Sequence, residues 1–362
     1  MNDSFERYLK MIAKLYDSLS DEESRSIFRG RFNSALSGRE EELYKELHSK
    51  TKRFHSKEIE RFLALSGCDT SKIAVCGTGF DSKCVKYVLE CLGYSVSLWV
   101  SGEYIEEGQI IENIPVVTFQ ELVYEYKEYA VIIASREKAS EYYEGLLYLN
   151  FPREQILLPR KRIVEAKCGI QYFDLEYLFH EKDEIFIDCG AYNGDTIVDF
   201  LTWSNAVYKK IYAFEIDSFN YKSCKETISR FGVKNIEVIN KGLLNKDGFV
   251  LFQEGRGSGS HITKHGNTQV PVTTIDNYLK GEKATFIKMD IEGCELAALM
   301  GAENTIKKFH PKLAIAIYHK PNDIIEIPLY IWKIAPDYKF YFRHYRASRR
   351  ESVLYAIHNT EK

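Results

Sequence analysis

Apolar positions along the chain change their period near residue 66. Up to there they recur at helical spacing, as in Phe5, Leu9, Ile12, Tyr16 and Leu19, with Lys, Glu and Arg between them. Ser20 followed by Glu23 is a capping-box pattern and predicts a second helix beginning near Asp21. Such a helical segment packs on a neighbouring domain or on another copy of the chain, as in a homodimer. From Lys72 the pattern becomes alternating strand and helix. Ile73-Ala74-Val75-Cys76 reads as a buried strand, Gly77-Thr78-Gly79 as a tight turn, and Ser82 to Leu92 as an amphipathic helix. Val96 to Val100 and Tyr129 to Ala134 complete a small unit, and Phe151 to Lys167, with Pro152 and Pro159, reads as a junction. A second series of strands follows at Ile185–Cys189, Lys210–Glu215, Ile236–Asn240, Thr285–Asp290, Lys312–Tyr318, Lys339–His344 and Ser352–His358, with helical patterns between most of them.

The expected architecture is therefore α/β. Residues 1–66 form a helical N-terminal segment, 67–165 a small Rossmann-like α/β domain, and 166–362 a larger Rossmann-like domain. With 362 residues, 45% hydrophobic and 14% aromatic, the chain is long and apolar enough for two cores. The net charge of -3 is spread along the sequence, which argues against general nucleic-acid binding. No apolar run approaches the roughly 20 residues of a membrane span. Eight scattered cysteines without a C-x-x-C pair fit a reducing compartment, so a cytoplasmic protein is expected.

Chemistry concentrates in the larger domain. Ile185 to Thr196 runs from an apolar strand into a glycine turn, and Ala213-Phe214-Glu215-Ile216-Asp217 places an acid at the end of the next strand. That spacing holds the ribose of an adenosine cofactor, with Glu215 accepting both hydroxyls. The turn reads Asp-x-Gly-x-x-x-Gly rather than Gly-x-Gly-x-x-Gly. A dinucleotide needs backbone donors aimed at a pyrophosphate, whereas S-adenosylmethionine carries an ammonium and a sulfonium that suit an acid such as Asp188. In the smaller domain Ser82 stands at the third glycine position and the second strand ends in Leu98-Trp99-Val100-Ser101 without a ribose-binding acid. An NAD-dependent oxidoreductase is disfavoured on both counts. The smaller domain resembles, through its one glycine turn and Pro115-Val116, the domain found ahead of some sugar-modifying enzymes.

Residues 184–358 resemble the FkbM-type methyltransferases. The resemblance rests on Ile187-Asp188-Cys189-Gly190-Ala191-Tyr192-Asn193-Gly194-Asp195, Ala213-Phe214-Glu215, Val272-Thr273-Thr274-Ile275-Asp276, and Phe286-Ile287-Lys288-Met289-Asp290-Ile291-Glu292-Gly293-Cys294-Glu295. It implies a class I methyltransferase sheet of strand order 3-2-1-4-5-7-6 with the last strand antiparallel. It also implies S-adenosylmethionine as cofactor, S-adenosylhomocysteine as product, and O-methylation of a sugar, glycan or glycosylated small molecule. Tyr192 departs from the pattern, where the family more often has Asn.

The expected cofactor residues are Asp188, Gly190, Ala191, Asn193, Gly194, Asp195, Thr196, Glu215, Ile216 and Asp290. Methyl transfer to a hydroxyl needs alignment and a base. His319 after the fifth strand is the expected base, with Asp290 orienting the cofactor's methionine end or the acceptor. Glu292 is a further catalytic candidate, although Glu292 and Glu295 also suit the start of a helix after Gly293. A divalent ion held by Asp290, Glu292, His319 and Asp323 is the alternative; nothing in the spacing demands it and it is not favoured. Gly255 to Ser260 reads as a flexible loop or lid, with His261 beside it as a second base candidate or substrate contact. Arg343, His344, Arg346, Arg349 and Arg350 crowd one turn, and Arg346 and Arg349 are the expected contacts to an acidic or nucleotide-linked acceptor. A non-catalytic recognition protein for a nucleotide sugar, built from the two Rossmann-like units, is the reading from a different class.

Overall fold

The computed structural model describes residues 2–39, 42, 43, 46, 57–103, 105, 106, 108–135, 137–159, 170–253, 261–263, 266, 268–346 and 350–358. Two compact units emerge. Met1–Arg39, Ile170–His344 and Arg350–Lys362 form the first, and Glu40–Gly169 with Tyr345–Arg349 form the second.

The first unit opens with helices Asn2–Ser18 and Glu22–Ser37. The second helix is capped by Asp21, whose carboxylate accepts from the Ser24 backbone N–H at 2.8 Å, rather than by Ser20. A carboxylate there also favours the positive end of the helix. Of the first helical stripe Leu19 is buried and Leu9 stays 46% exposed, while Leu15, outside that stripe, is fully buried. Beyond the first helix, the Ser20 N–H donates to the Phe340 carbonyl and the Phe342 N–H donates to Ser24 Oγ, both at 2.9 Å. These helices therefore cover the edge of the main sheet, whose last-but-one strand would otherwise present free backbone groups.

In the second unit, helix Lys57–Leu65 precedes β1 (Ile73–Cys76), β2 (Leu98–Ser101), β3 (Ile110–Ile111), β4 (Ile114–Thr118), β5 (Ala130–Ile133) and β6 (Ile156–Leu157). They form one sheet in the order β3-β4-β2-β1-β5-β6, parallel except for the β3–β4 pair. β3, β4 and β6 were not legible as strands, being short or carrying Pro115. Buried Ser82 donates to the Ala134 carbonyl at 3.0 Å, and its Oγ lies 2.5 Å from where a Cβ on Gly77 would sit. The residue at the third glycine position thus ties the turn to β5.

The main sheet of the first unit holds β7 (Ile185–Cys189), β8 (Lys210–Phe214), β9 (Ile236–Ile239), β14 (Phe286–Met289), β15 (Lys312–Ala316), β16 (Tyr338–His344) and β17 (Ser352–His358). Its order is β16-β17-β15-β14-β7-β8-β9, with β17 antiparallel to both neighbours. This is the 3-2-1-4-5-7-6 arrangement, and each strand lies within two residues of its expected ends. β7, β14 and β15 are buried along their whole length, as strands covered by helices on both faces must be. Helix Asp195–Trp203 seats Phe200 on Phe186, stacked with centroids 4.4 Å apart. A smaller four-stranded sheet, β10 (Gly242–Leu243), β11 (Gly248–Gln253), β12 (His261–Ile262) and β13 (Thr268–Thr273), was not anticipated. Phe249 and Leu251 on β11 are exposed, so burial does not mark that strand in the sequence. Among the described residues no helix is long and apolar enough to cross a membrane.

Candidate functional site

Two turns at the C-terminal ends of neighbouring parallel strands build the site. After β7 the backbone passes Gly190 at φ 83° and Gly194 at φ 88° before helix Asp195–Trp203 begins. β14 pairs with β7 in the register Lys288↔Asp188 and Met289↔Cys189, so its own end runs alongside the turn. A Cβ on Gly190 would sit 2.0 Å from the Asp290 carbonyl oxygen. Gly190→Ala adds that clash to a left-handed conformation and should cost about 2–4 kcal/mol of stability. Urea unfolding checks this; an unchanged midpoint would mean that the turn relaxes freely.

The N–H groups of Gly190 and Ala191 both donate to the Phe214 carbonyl, at 2.9 and 3.0 Å. They hold the turn on β8 instead of facing outward as a phosphate cradle. Asn193 Oδ1 accepts from the Asp195 N–H at 3.2 Å and Asp195 Oδ1 from the Thr196 N–H at 2.8 Å, so these three shape the turn from within. Buried Glu215 follows β8. Its Oε2 accepts from the Tyr192 N–H and its Oε1 from the Asp217 N–H, both at 2.8 Å. Tyr192, at φ 47°, is in a left-handed conformation that Asn adopts more readily, and its N–H is what ties the two turns together. Burial pushes the Glu215 carboxyl up to about 7, against the pull of those two backbone donors. Half-buried Ile216 packs beside Gly242, and Asn240 Nδ2 donates to the carbonyls of Glu215 and Ile216 at 2.9 and 3.2 Å.

Asp188 was expected to face the cofactor, and its immediate partner is instead Lys288. Their side chains are 0% and 2% exposed and pair at 2.9 Å. Lys288 Nζ also donates to the Gly190 carbonyl at 2.7 Å. Burial raises the Asp188 carboxyl to about 6 despite Lys288, which leaves it ionised at neutral pH. Burial disfavours the Lys288 ammonium, but the charges of Asp188 and Asp290 outweigh it and the pKa rises. Asp188 Oδ2 is buried with no hydrogen-bond partner among the described residues. A lysine inside the apolar run Phe286-Ile287-Lys288-Met289 was the sequence signal for this pair, because a buried ammonium requires a partner.

The second cluster lies after β14 and β15. His319 Nδ1 is 2.9 Å from Glu295 Oε1, and its Nε2 is 3.4 Å from Asp290 Oδ1 and 3.5 Å from Glu292 Oε2. Glu295 Oε1 also accepts from the Ile291 N–H at 2.8 Å, which locks its orientation. Burial opposes a charge on His319, yet the contact with Glu295 and the fields of Asp290 and Glu292 lift its pKa to about 9. Burial likewise raises the Glu292 carboxyl. Asp290 accepts from Tyr172 Oη at 2.8 Å and from Tyr318 Oη at 3.1 Å. The sequence brought His319, Asp290 and Glu292 forward as a set. The roles of Glu295 and Tyr318 beside them, and of Tyr172 from 118 residues earlier, required the fold.

Asp290, Glu295 and His319 bring ligand atoms within 4.8 Å of one another. Asp323, named in the expected ion set, turns to the Lys320 N–H at 2.8 Å instead. With His319 protonated, the observed arrangement is one cation among three carboxylates, which keeps the cluster net negative. Of the arginine cluster, Arg343 is 4% exposed and bound to Asp21 at 2.6 Å, and His344 Nδ1 lies 2.7 Å from Ser352 Oγ. Both hold the leader and hairpin in place. Arg350 is exposed, and its charge lowers the pKa of Glu292. Arg346 groups with the second unit, and Arg349 lies outside the described residues. So do residues 255–260 and the side chain of His261.

The pattern of the methyltransferase FkbM domain matches residues 188–344. The fold is similar to that of methyltransferase FkbM from Methylobacillus flagellatus KT, with a TM-score of 0.50 and 18% identity over 90% of this chain and 99% of that one. An rRNA methylase from Streptococcus thermophilus matches 50% of this chain and 89% of its own, at 16% identity and a TM-score of 0.34. Aeropyrum pernix fibrillarin, with natively bound S-adenosyl-L-methionine, matches 51% of this chain and 71% of its own at 12% identity and 0.34. No curated protein sequence matches the chain.

Proposed function

Given an FkbM methyltransferase domain at residues 188–344, for which S-adenosylmethionine is the methyl donor, we propose that the chain methylates a hydroxyl group of a sugar, glycan or glycosylated small molecule. The observation that carries the oxygen acceptor is His319, whose Nδ1 lies 2.9 Å from Glu295 and whose Nε2 lies 3.4 Å from Asp290 and 3.5 Å from Glu292. An unactivated hydroxyl must lose its proton as its oxygen takes the methyl group, and a histidine oriented by a carboxylate performs that task. Tyr172 and Tyr318 keep Asp290 fixed beside His319, where it orients the acceptor or the amino-acid end of the cofactor.

The residues at the first two turns fit the cofactor by their chemistry. The donor brings a methyl group already attached to a good leaving group, the sulfonium. Glu215 offers a buried carboxylate with lone pairs left for ribose hydroxyls. Asp188, neutralised by Lys288, serves the cofactor indirectly, because their pair holds the turn through the Gly190 carbonyl. Asn193, Asp195 and Thr196 shape the turn, with Ile216, just after β8, as an apolar contact. Within the first unit, His261 is proposed as an acceptor contact.

Calorimetric titration with S-adenosylhomocysteine tests the cofactor half. Glu215→Ala should weaken binding by about 10- to 100-fold, the worth of charge-assisted hydrogen bonds. Hydroxyl donors favour the ionised carboxylate, so wild-type affinity should rise as pH increases towards about 7 and then level off. Glu215→Gln should flatten that dependence. Saturable binding that is indifferent to Glu215 and to pH would rule out its ribose role, and product release with a panel of sugars then tests the acceptor class.

A further inference from the structure

We propose that His310, Asp337 and His358 form a binding site for a divalent transition-metal ion of the zinc type, at the end of the main sheet opposite the cofactor turns. The three residues come from separate elements. His310 caps helix Glu303–Phe309, Asp337 lies in the turn before β16, and His358 ends β17. β15 starts at Lys312 and β16 at Tyr338, whereas the cofactor turns follow the far ends of β7 and β8.

Both imidazoles aim the same atom at the same oxygen. His358 Nε2 lies 3.3 Å and His310 Nε2 3.7 Å from Asp337 Oδ2. All three ligand atoms fall within 4.8 Å of one another, and the two rings have centroids 4.4 Å apart. A tetrahedral zinc ion with bonds of about 2.0–2.2 Å separates its ligands by about 3.4 Å, so little movement is required. Two imidazole nitrogens and one carboxylate select zinc, cobalt or nickel over magnesium or calcium.

The site is held from several directions, which limits the ordering that binding would require. Tyr338 pairs with His358 in the β16–β17 register, and Tyr338 Oη donates to the Pro311 carbonyl at 2.6 Å. That buried bond fastens the His310 loop to β16. His310 itself has φ 46°, with its N–H donating to the Ile306 carbonyl at 3.0 Å. The imidazoles are 31% and 28% exposed and the carboxylate 53%, so an ion can reach them from solvent. Bound there, it would clip the helix end to the last hairpin, leaving the remaining coordination positions to water.

The test is titration of tag-free full-length protein with Co(II), followed by visible absorption and by thermal unfolding. We expect one equivalent to bind with d–d bands and no thiolate charge-transfer band, and the midpoint to rise by about 5–10 °C at a hundredfold excess over Kd. His310→Asn, which keeps a residue tolerant of the left-handed cap, and His358→Gln should each weaken binding at least tenfold while S-adenosylhomocysteine still binds. His319→Gln should leave cobalt binding intact. Loss of binding in His319→Gln with retention in His310→Asn would place the ion at the other cluster and overturn the proposal. So would the absence of binding in protein that still takes up S-adenosylhomocysteine.

Discussion

Replacing His319 by alanine should lower turnover by about 10²- to 10⁴-fold, the range for losing a positioned general base. Affinity for S-adenosylhomocysteine should stay unchanged, because the cofactor turns are built by other residues. The wild-type rate should carry a distinctive pH signature. Burial alone would favour the neutral ring, but three carboxylates hold His319 protonated up to about pH 9. Only the deprotonated fraction can accept a proton from the acceptor. Turnover should therefore rise about tenfold per pH unit through the neutral range and level off near pH 9, and His319→Ala should lose that limb. The imidazole titration is measurable by NMR without any acceptor. A ring that titrates near its ordinary value, or turnover independent of pH below 9, would remove His319 as the base.

Glu295 is the lever on that behaviour. Its Oε1 sits 2.9 Å from Nδ1, and it is only 1% exposed. The neighbouring Asp290 and Glu292 contribute through longer contacts, at 3.4 and 3.5 Å. In its proposed role His319 is consequently a strong base, available mainly above neutrality.

Lys288→Met should destabilise the protein by about 3–5 kcal/mol, the cost of leaving one member of a buried ion pair uncompensated. The variant retains Asp188, fully buried, without its partner and without the link from Nζ to the Gly190 carbonyl. Burial already raises the Asp188 carboxyl from 3.8 to about 6 with Lys288 present, and removing the ammonium must raise it further. The unfolded chain ionises near the ordinary value while the folded variant resists ionisation. Stability of Lys288→Met should thus fall as pH rises from about 4, and the deficit against wild type should be smallest in acid. The double variant Asp188→Asn with Lys288→Met leaves no unpaired charge at these two positions and should regain most of the loss. Urea unfolding of the wild type and the two variants measures both effects. A Lys288→Met protein as stable as wild type at neutral pH would mean that the pair contributes nothing to the fold.

The same pair shows how the site is assembled. β14 carries Lys288 into register with Asp188 on β7, and its amine holds the carbonyl of the glycine that starts the turn. Gly190 in turn has no room for a side chain beside Asp290. The glycine turn and the end of β14, which leads into Asp290 and Glu292, are therefore one mechanical unit.

Read by itself, the sequence determined the seven strands of the main sheet, their covering helices and the first two turns. Strands buried on both faces write continuous apolar runs, and positions such as Gly190 and Glu215 announce themselves by breaking those runs. It also brought His319, Asp290 and Glu292 forward, because each closely follows a legible strand. Tertiary structure alone decided which groups these residues meet. Tyr172 reaches Asp290 across 118 residues, and Arg343 leaves the cluster expected to bind acceptor for a bond to Asp21. The small sheet of β10 to β13, with an exposed β11, and the meeting of His310, Asp337 and His358 were equally invisible. The reason is physical: a local pattern records whether a segment is buried, whereas partners are set by strand register and chain path, which no short stretch of sequence encodes.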